Sequence, residues 1–211
     1  MQSIISKKAV LFDLDGVLLN SRPNMERAWQ DVRDRLGVTV DFEDYFKNIG
    51  RPFSDILVIL GLQDRAEEIE SVYSQSSKDN FDLATFYPFV VESLQKIEDH
   101  GIKLGIVTSK DQERTNIVLN RLPVKFSSVQ TPNPCFRGKP APDHLLSAIA
   151  DLNVDPKDSL FVGDAEVDAM AALRAGVDYC HANWGYGETK LDHVTFLNDI
   201  QSLLIFLEIE K

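Results

Sequence analysis

Two cysteines in 211 residues, Cys135 and Cys180, are too few and too far apart for a disulfide framework or a thiolate metal site. No apolar run approaches the roughly 18 to 20 residues of a membrane span, and Met1 to Val10 lacks the long apolar centre of a secretory signal. Positive charge is scarce as well: 22 Lys and Arg against 33 Asp and Glu leave a net charge of −11. That sign is wrong for gripping nucleic acid or an anionic membrane. There is no internal repeat or low-complexity tract, and none of the four histidines stands in a zinc-binding pattern. The expectation is a soluble, cytoplasmic protein with no nucleic-acid or membrane partner, monomeric or homodimeric. A small phosphorylated metabolite remains open as a partner, because local cations in a cleft override a global field at short range.

What the chain does have begins near its N-terminus. The strand-like run Val10-Leu11-Phe12 ends in Asp13-Leu14-Asp15-Gly16. The period of two in an extended segment aims both carboxylates to one side, and two like charges that close call for a metal or a shared proton. Downstream, Met25, Ala28, Trp29, Val32 and Leu36 recur at helical spacing, and Gly37 is placed to end that helix. More helical signals cover Ser54 to Leu60 and Asp64 to Lys78, and nothing between Arg22 and Asp82 reads strongly as a strand. From Tyr87 the pattern alternates. Strands are expected at Ile102 to Val107, Phe126 to Gln130, Ser159 to Val162 and Val177 to Ala182, separated by helices, with a closing helix over Ile200 to Leu207.

Alternation of this kind predicts an α/β fold: a Rossmann-like three-layer core with a parallel five-stranded sheet, and a small all-helical unit inserted after strand 1. The expected division is residues 1–19 and 84–211 for the core and 20–83 for the helical unit. Ligands of such sheets bind beyond the carboxyl ends of the strands, and three strands here end in Asp13 with Asp15, in Thr108 and in Asp164. Taken singly, each has an ordinary alternative. An Asp after a strand often caps a helix, and Lys139 or Glu166 alone could face solvent.

The ordered set is more specific: Asp-x-Asp after strand 1, Thr108 after a later strand, Lys139 within Gly138-Lys139-Pro140-Ala141-Pro142-Asp143, and Gly163-Asp164-Ala165-Glu166-Val167-Asp168. In these motifs the chain resembles the haloacid dehalogenase superfamily, and within it the phosphoglycolate phosphatase-like and phosphoglucomutase-like members with a helical cap. The resemblance implies Asp13 as the nucleophile that carries the phosphoryl group and Asp15 as general acid and base. It implies Thr108 as a donor to the phosphoryl oxygens and Lys139 as the counter-charge. Magnesium would be held by Asp13, the backbone oxygen of Asp15, and Asp164, with Asp168 as a ligand or an orienter of its waters. Gly16, Ser109, Lys110 and Arg51 are the candidate substrate contacts, Arg51 from the cap loop Gly50-Arg51-Pro52-Phe53.

The function so implied is a Mg²⁺-dependent phosphatase acting on a small phosphomonoester through an aspartyl phosphate. A phosphomutase is the nearest alternative, and a non-catalytic phospholigand-binding protein is the alternative from another class. Many relatives carry glycine where this chain has Phe89, and the connection Pro132 to Arg137 is individual to it.

Overall fold

The computed structural model describes residues 7–192 and 194–210. Strand β1 (Ala9–Phe12) lies inside a parallel sheet with β4 (Lys103–Val107), β5 (Phe126–Gln130), β6 (Ser159–Gly163), β7 (Asp178–Ala182) and β8 (Thr195–Leu197). The order across the sheet is β5-β4-β1-β6-β7-β8. The expected five strands are therefore six. The sixth, β8, is three residues long with two of them exposed, too short to give an alternating signal in the sequence.

The sheet is apolar on both faces, as a parallel sheet covered by helices must be. Val10 and Phe12 point into one core with α5 (Val90–Asp99), α6 (Gln112–Leu119) and α9 (Gln201–Phe206). Ala9 and Leu11 point into the other, with α7 (Asp143–Leu152) and α8 (Glu166–Ala175). Each fully buried aliphatic or aromatic side chain contributes about 1.5–3 kcal/mol through burial.

Between β1 and β4 the chain leaves the sheet. Short strands β2 (Leu19–Asn20) and β3 (Thr85–Phe86) pair antiparallel, and between them run α1 (Arg22–Leu36), α2 (Phe42–Phe46), α3 (Phe53–Ile59) and α4 (Ala66–Asp79). Helix α1 ends as its sequence suggests: Gly37 takes φ 66° and its N–H donates to the Arg33 carbonyl at 2.9 Å. The four helices close around a core of their own, in which Trp29 stacks on Tyr45 with ring centres 4.4 Å apart and donates its Nε1 hydrogen to the Val40 carbonyl. Helix α2 was not expected, because five residues give no periodicity to read.

Phe89, immediately before α5, has φ 63° and is 52% exposed. A side-chain-bearing residue thus occupies a left-handed position that glycine adopts without strain. No helix among the described residues is long and apolar enough to cross a membrane.

Candidate active site

Because β4, β1 and β6 are adjacent and parallel, the residues that follow their last positions meet at one edge of the sheet. Those residues are Thr108, Asp13 and Asp164, all nearly inaccessible to solvent. Asp13 is fixed from both sides. Its backbone N–H donates to the Val162 carbonyl at 2.9 Å, and its carboxylate accepts from the Leu14 N–H at 2.7 Å. Lys139 arrives from the proline-rich connection between β5 and α7. Its ammonium lies 3.1 Å from Asp13 and 2.7 Å from Asp168.

Asp168 joins Asp164 by a different route from the one its spacing suggests. Helix α8 begins only at Glu166, so Asp164 and Asp168 do not share a helical face. Instead Asp168 folds back over the helix start, where its Oδ2 accepts from the Ala165 N–H at 3.0 Å and the Asp164 N–H at 3.3 Å. Carboxylate oxygens of Asp13, Asp164 and Asp168 lie within 4.8 Å of one another. With its oxygens engaged by Lys139 and two backbone donors, Asp168 is better placed to hold its neighbours than to ligate a cation directly. Asp164 in turn accepts from the Tyr186 N–H at 2.6 Å.

The electrostatics of the three acids favour a cation among them. Burial pushes the Asp13 carboxyl up to about 7, with Asp168 and Asp15 adding to the shift and Lys139 opposing it. Burial, then Asp168 and Asp13, raise Asp164 well above the usual carboxylate range. Burial alone would lower Lys139, but Asp13 and Asp168 outweigh it and raise it. A hard divalent cation beside Asp13 and Asp164 would relieve both acids, and an all-oxygen donor set suits Mg²⁺ better than zinc. The residues present therefore fit the ion that the motifs imply.

Asp15 stands apart from this cluster. Its carboxylate pairs with Lys110 at 3.1 Å, and the two side chains are 14% and 5% exposed. Lys110 is thus buried rather than extended into water at a helix start, and burial lowers its pKa while Asp15 raises it. Gly16 adopts φ 85°, and a Cβ there would collide with the Asp164 carboxylate, so its role in the geometry is to let that acid approach. Ser109 donates to the Gly50 carbonyl at 2.7 Å, tying the sheet edge to the loop before α3. Arg51 is exposed but lines the same cleft.

That cleft, about 50 Å³, lies between the sheet edge and the helical insert. Besides Asp13, Asp15, Thr108, Ser109, Lys110 and Arg51 it is lined by Tyr45, Tyr73 and Arg114, which sequence inspection did not single out. Arg114 sits in the first turn of α6 with no motif to mark it, and the tyrosines read as ordinary core residues. Tyr186 was missed too, although the glycines on either side of it in Trp184-Gly185-Tyr186-Gly187 mark an unusual turn. Its hydroxyl accepts from the backbone N–H groups of Ser21 at 2.6 Å and Arg22 at 3.1 Å. It thereby caps the start of α1, where the Ser21 side chain makes no capping bond.

Comparison with known proteins gives the family. The family model for haloacid dehalogenase-like hydrolases matches residues 10–182. The chain belongs to that family. This haloacid dehalogenase-like hydrolase is 30% identical over 179 residues to a pyrophosphatase PpaX from Anoxybacillus flavithermus, with 83% of each chain covered. It is 28% identical over 183 residues to a phosphoglycolate phosphatase from Aquifex aeolicus, covering 85% of this chain and 86% of that one. Its fold matches that of a haloacid dehalogenase-like hydrolase from Streptococcus pneumoniae with a TM-score of 0.82 at 22% identity, covering 95% and 98% of the two chains.

Proposed function

We propose that this chain is a Mg²⁺-dependent phosphatase that hydrolyses a small phosphomonoester by way of a phosphoryl group carried on Asp13. The observation that carries the proposal is the buried ammonium of Lys139, 3.1 Å from Asp13 and 2.7 Å from Asp168, beside a third buried acid, Asp164. Relatives named pyrophosphatase and phosphoglycolate phosphatase support phosphoryl chemistry at such a site.

A carboxylate oxygen of Asp13 attacks phosphorus, and the ester P–O bond breaks as the Asp13–phosphorus link forms. Asp15 gives its proton to the departing oxygen, then takes one from the water that releases phosphate and restores the Asp13 carboxylate. Thr108 donates its hydroxyl hydrogen to a phosphoryl oxygen, while Lys139 holds the nucleophile and balances charge developing on the group in transfer. Magnesium, held by Asp13, Asp164 and the Asp15 backbone oxygen, would supply the remaining neutralisation of the phosphoryl oxygens. Residues 20–83 act as a cap whose closure over the sheet edge excludes bulk water.

The test is phosphate release by pure protein from a broad phosphoester panel that includes p-nitrophenyl phosphate, with Mg²⁺ and with chelator. Release is expected only with the metal, and Asp13→Asn is expected to be silent. No release from any ester, or an Asp13→Asn variant that still turns over, overturns the proposal. Isomerisation of a sugar phosphate in the presence of its bisphosphate, with little free phosphate, would instead mark a mutase.

A further inference from the structure

The connection between β7 and β8 meets both the acid cluster and the root of the helical insert. Its turn, Trp184-Gly185-Tyr186-Gly187, lies directly on Asp164. A Cβ at Gly185 would come within 2.2 Å of the Asp164 Cβ, and one at Gly187 within 2.8 Å of the Asp164 backbone oxygen. Two glycines let the turn press that closely, so turn and acid cannot shift independently.

The same turn grips the outgoing linker. Trp184 donates its Nε1 hydrogen to the Val17 carbonyl at 2.9 Å, and the Tyr186 hydroxyl accepts from the Ser21 and Arg22 N–H groups at 2.6 and 3.1 Å. The return linker touches it as well. The Tyr87 ring meets that of Trp184 edge-on with centres 6.5 Å apart, and the Tyr87 N–H donates to the Leu18 carbonyl at 3.1 Å. From the insert itself, Phe46 of α2 packs on the Tyr186 ring with centres 5.0 Å apart.

We propose that Tyr186 is a positioning residue that couples cation binding at Asp164 to the seating of the helical insert, each favouring the other. The proposal rests on the assignment of a cation to Asp13 and Asp164 above and goes beyond it, because Tyr186 does not line the cleft.

The two ends of one residue carry the coupling. The backbone N–H of Tyr186 donates to the Asp164 carboxylate at 2.6 Å, while the hydroxyl at the far end of its side chain serves Ser21 and Arg22. Only two side-chain torsions separate those ends, and Phe46 holds the ring between them. A cation that draws the Asp164 carboxylate into one place fixes the N–H bound to it, and through the ring the hydroxyl. Helix α1 depends on that hydroxyl, since the Ser21 side chain makes no capping bond. Coupling of this kind is reciprocal. The factor by which the cation tightens the seating equals the factor by which seating tightens the cation, typically about 5-fold to 150-fold.

Hydrogen exchange at the Ser21 and Arg22 amides of the whole chain, in chelator and in saturating Mg²⁺, reads one side of the coupling. Calorimetry of Mg²⁺ binding to wild type and to Tyr186→Phe reads the other. In the wild type, Mg²⁺ is expected to slow exchange at both amides about fivefold or more beyond its effect on the amides of α4, which control for stabilisation of the whole fold. In Tyr186→Phe that extra slowing should vanish, and Mg²⁺ should bind more weakly by the same factor, although the N–H that serves Asp164 is retained. A tyrosine that only braces the fold would speed exchange in the variant without changing Mg²⁺ affinity, and that result overturns the proposal. So does wild-type exchange at Ser21 and Arg22 that Mg²⁺ slows no more than at α4, a measurement that needs no variant to fold. If calorimetry detects no Mg²⁺ binding to the wild type, the cation assignment itself fails and the coupling with it; neither measurement depends on turnover of an ester.

Discussion

Without the proposed Mg²⁺, the stability of this protein should depend on pH in a direction opposite to that of most carboxylates. Burial and neighbouring acids raise Asp13 from 3.8 to about 7, which amounts to about 4 kcal/mol. Between those two values the folded chain binds more protons at Asp13 than the unfolded chain does. The Asp13 contribution to the stability of the metal-free protein should therefore fall as pH rises from about 4 to about 7 and stay level above that, against an opposing rise from His144 and His181, which burial lowers. Asp164 is shifted the same way and adds to the slope. Mg²⁺ competes with these protons, so its stabilising effect should be slight at pH 5 and full at pH 8. Asp13→Asn removes the buried charge but leaves Lys139 with Asp168 alone. In chelator at pH 8 a net gain of about 2 kcal/mol is expected, or roughly 4–8 °C in Tm for a chain of this size. Calorimetry or urea unfolding of both proteins, in chelator and in Mg²⁺ from pH 5 to pH 8, measures all of these effects. Metal-free stability that climbs from pH 5 to pH 7, or an Asp13→Asn protein less stable than wild type at pH 8 in chelator, refutes the reasoning.

Two further outcomes follow from single positions. Tyr186→Phe leaves the N–H that serves Asp164 but removes the acceptor for Ser21 and Arg22. It should cost about 1–2 kcal/mol and speed hydrogen exchange at those two amides, and unchanged exchange there would discount the hydroxyl as the cap of α1. Phe89→Gly should relieve the left-handed backbone at an exposed site and stabilise the fold by up to about 1 kcal/mol, net of the entropy glycine loses on folding; a lower midpoint in urea would contradict this.

The parallel sheet was legible because strand ends are local events. An apolar run that stops at Asp13, Thr108 or Asp164 announces a strand and its polar end, and parallel order brings the ends together whatever lies between. Lys139 was legible only through the ordered set of motifs that carries the family resemblance, since alone it reads as a solvated charge. Three kinds of feature were not. Strand β8 and helix α2, at three and five residues, span less than two periods of their patterns. Asp168 was matched to Asp164 by a helical spacing that the chain does not use at that point, because the helix starts two residues later. Arg114, Tyr45 and Tyr73 reach the cleft only because the insert folds back on the sheet edge, and nothing in their neighbouring residues records a contact made at long range. Phe89 is the reverse case: its departure from glycine was visible, but the left-handed backbone that gives it meaning needed coordinates.

The pairing of β2 with β3 means that the chain goes out to the helices and returns from them through one antiparallel ribbon, Leu19 opposite Phe86 and Asn20 opposite Thr85. The sheet therefore meets some sixty residues of helix as it would meet the tip of a hairpin. Lengthening, shortening or exchanging what lies beyond Asn20 and Thr85 leaves the register of β1, β4 and β6 untouched, since a hairpin tolerates change at its turn far better than in its strands. The helices above the sheet edge are thus covalently tied to it through this ribbon, and their other links to it are contacts between side chains and backbone such as that of Ser109 with Gly50.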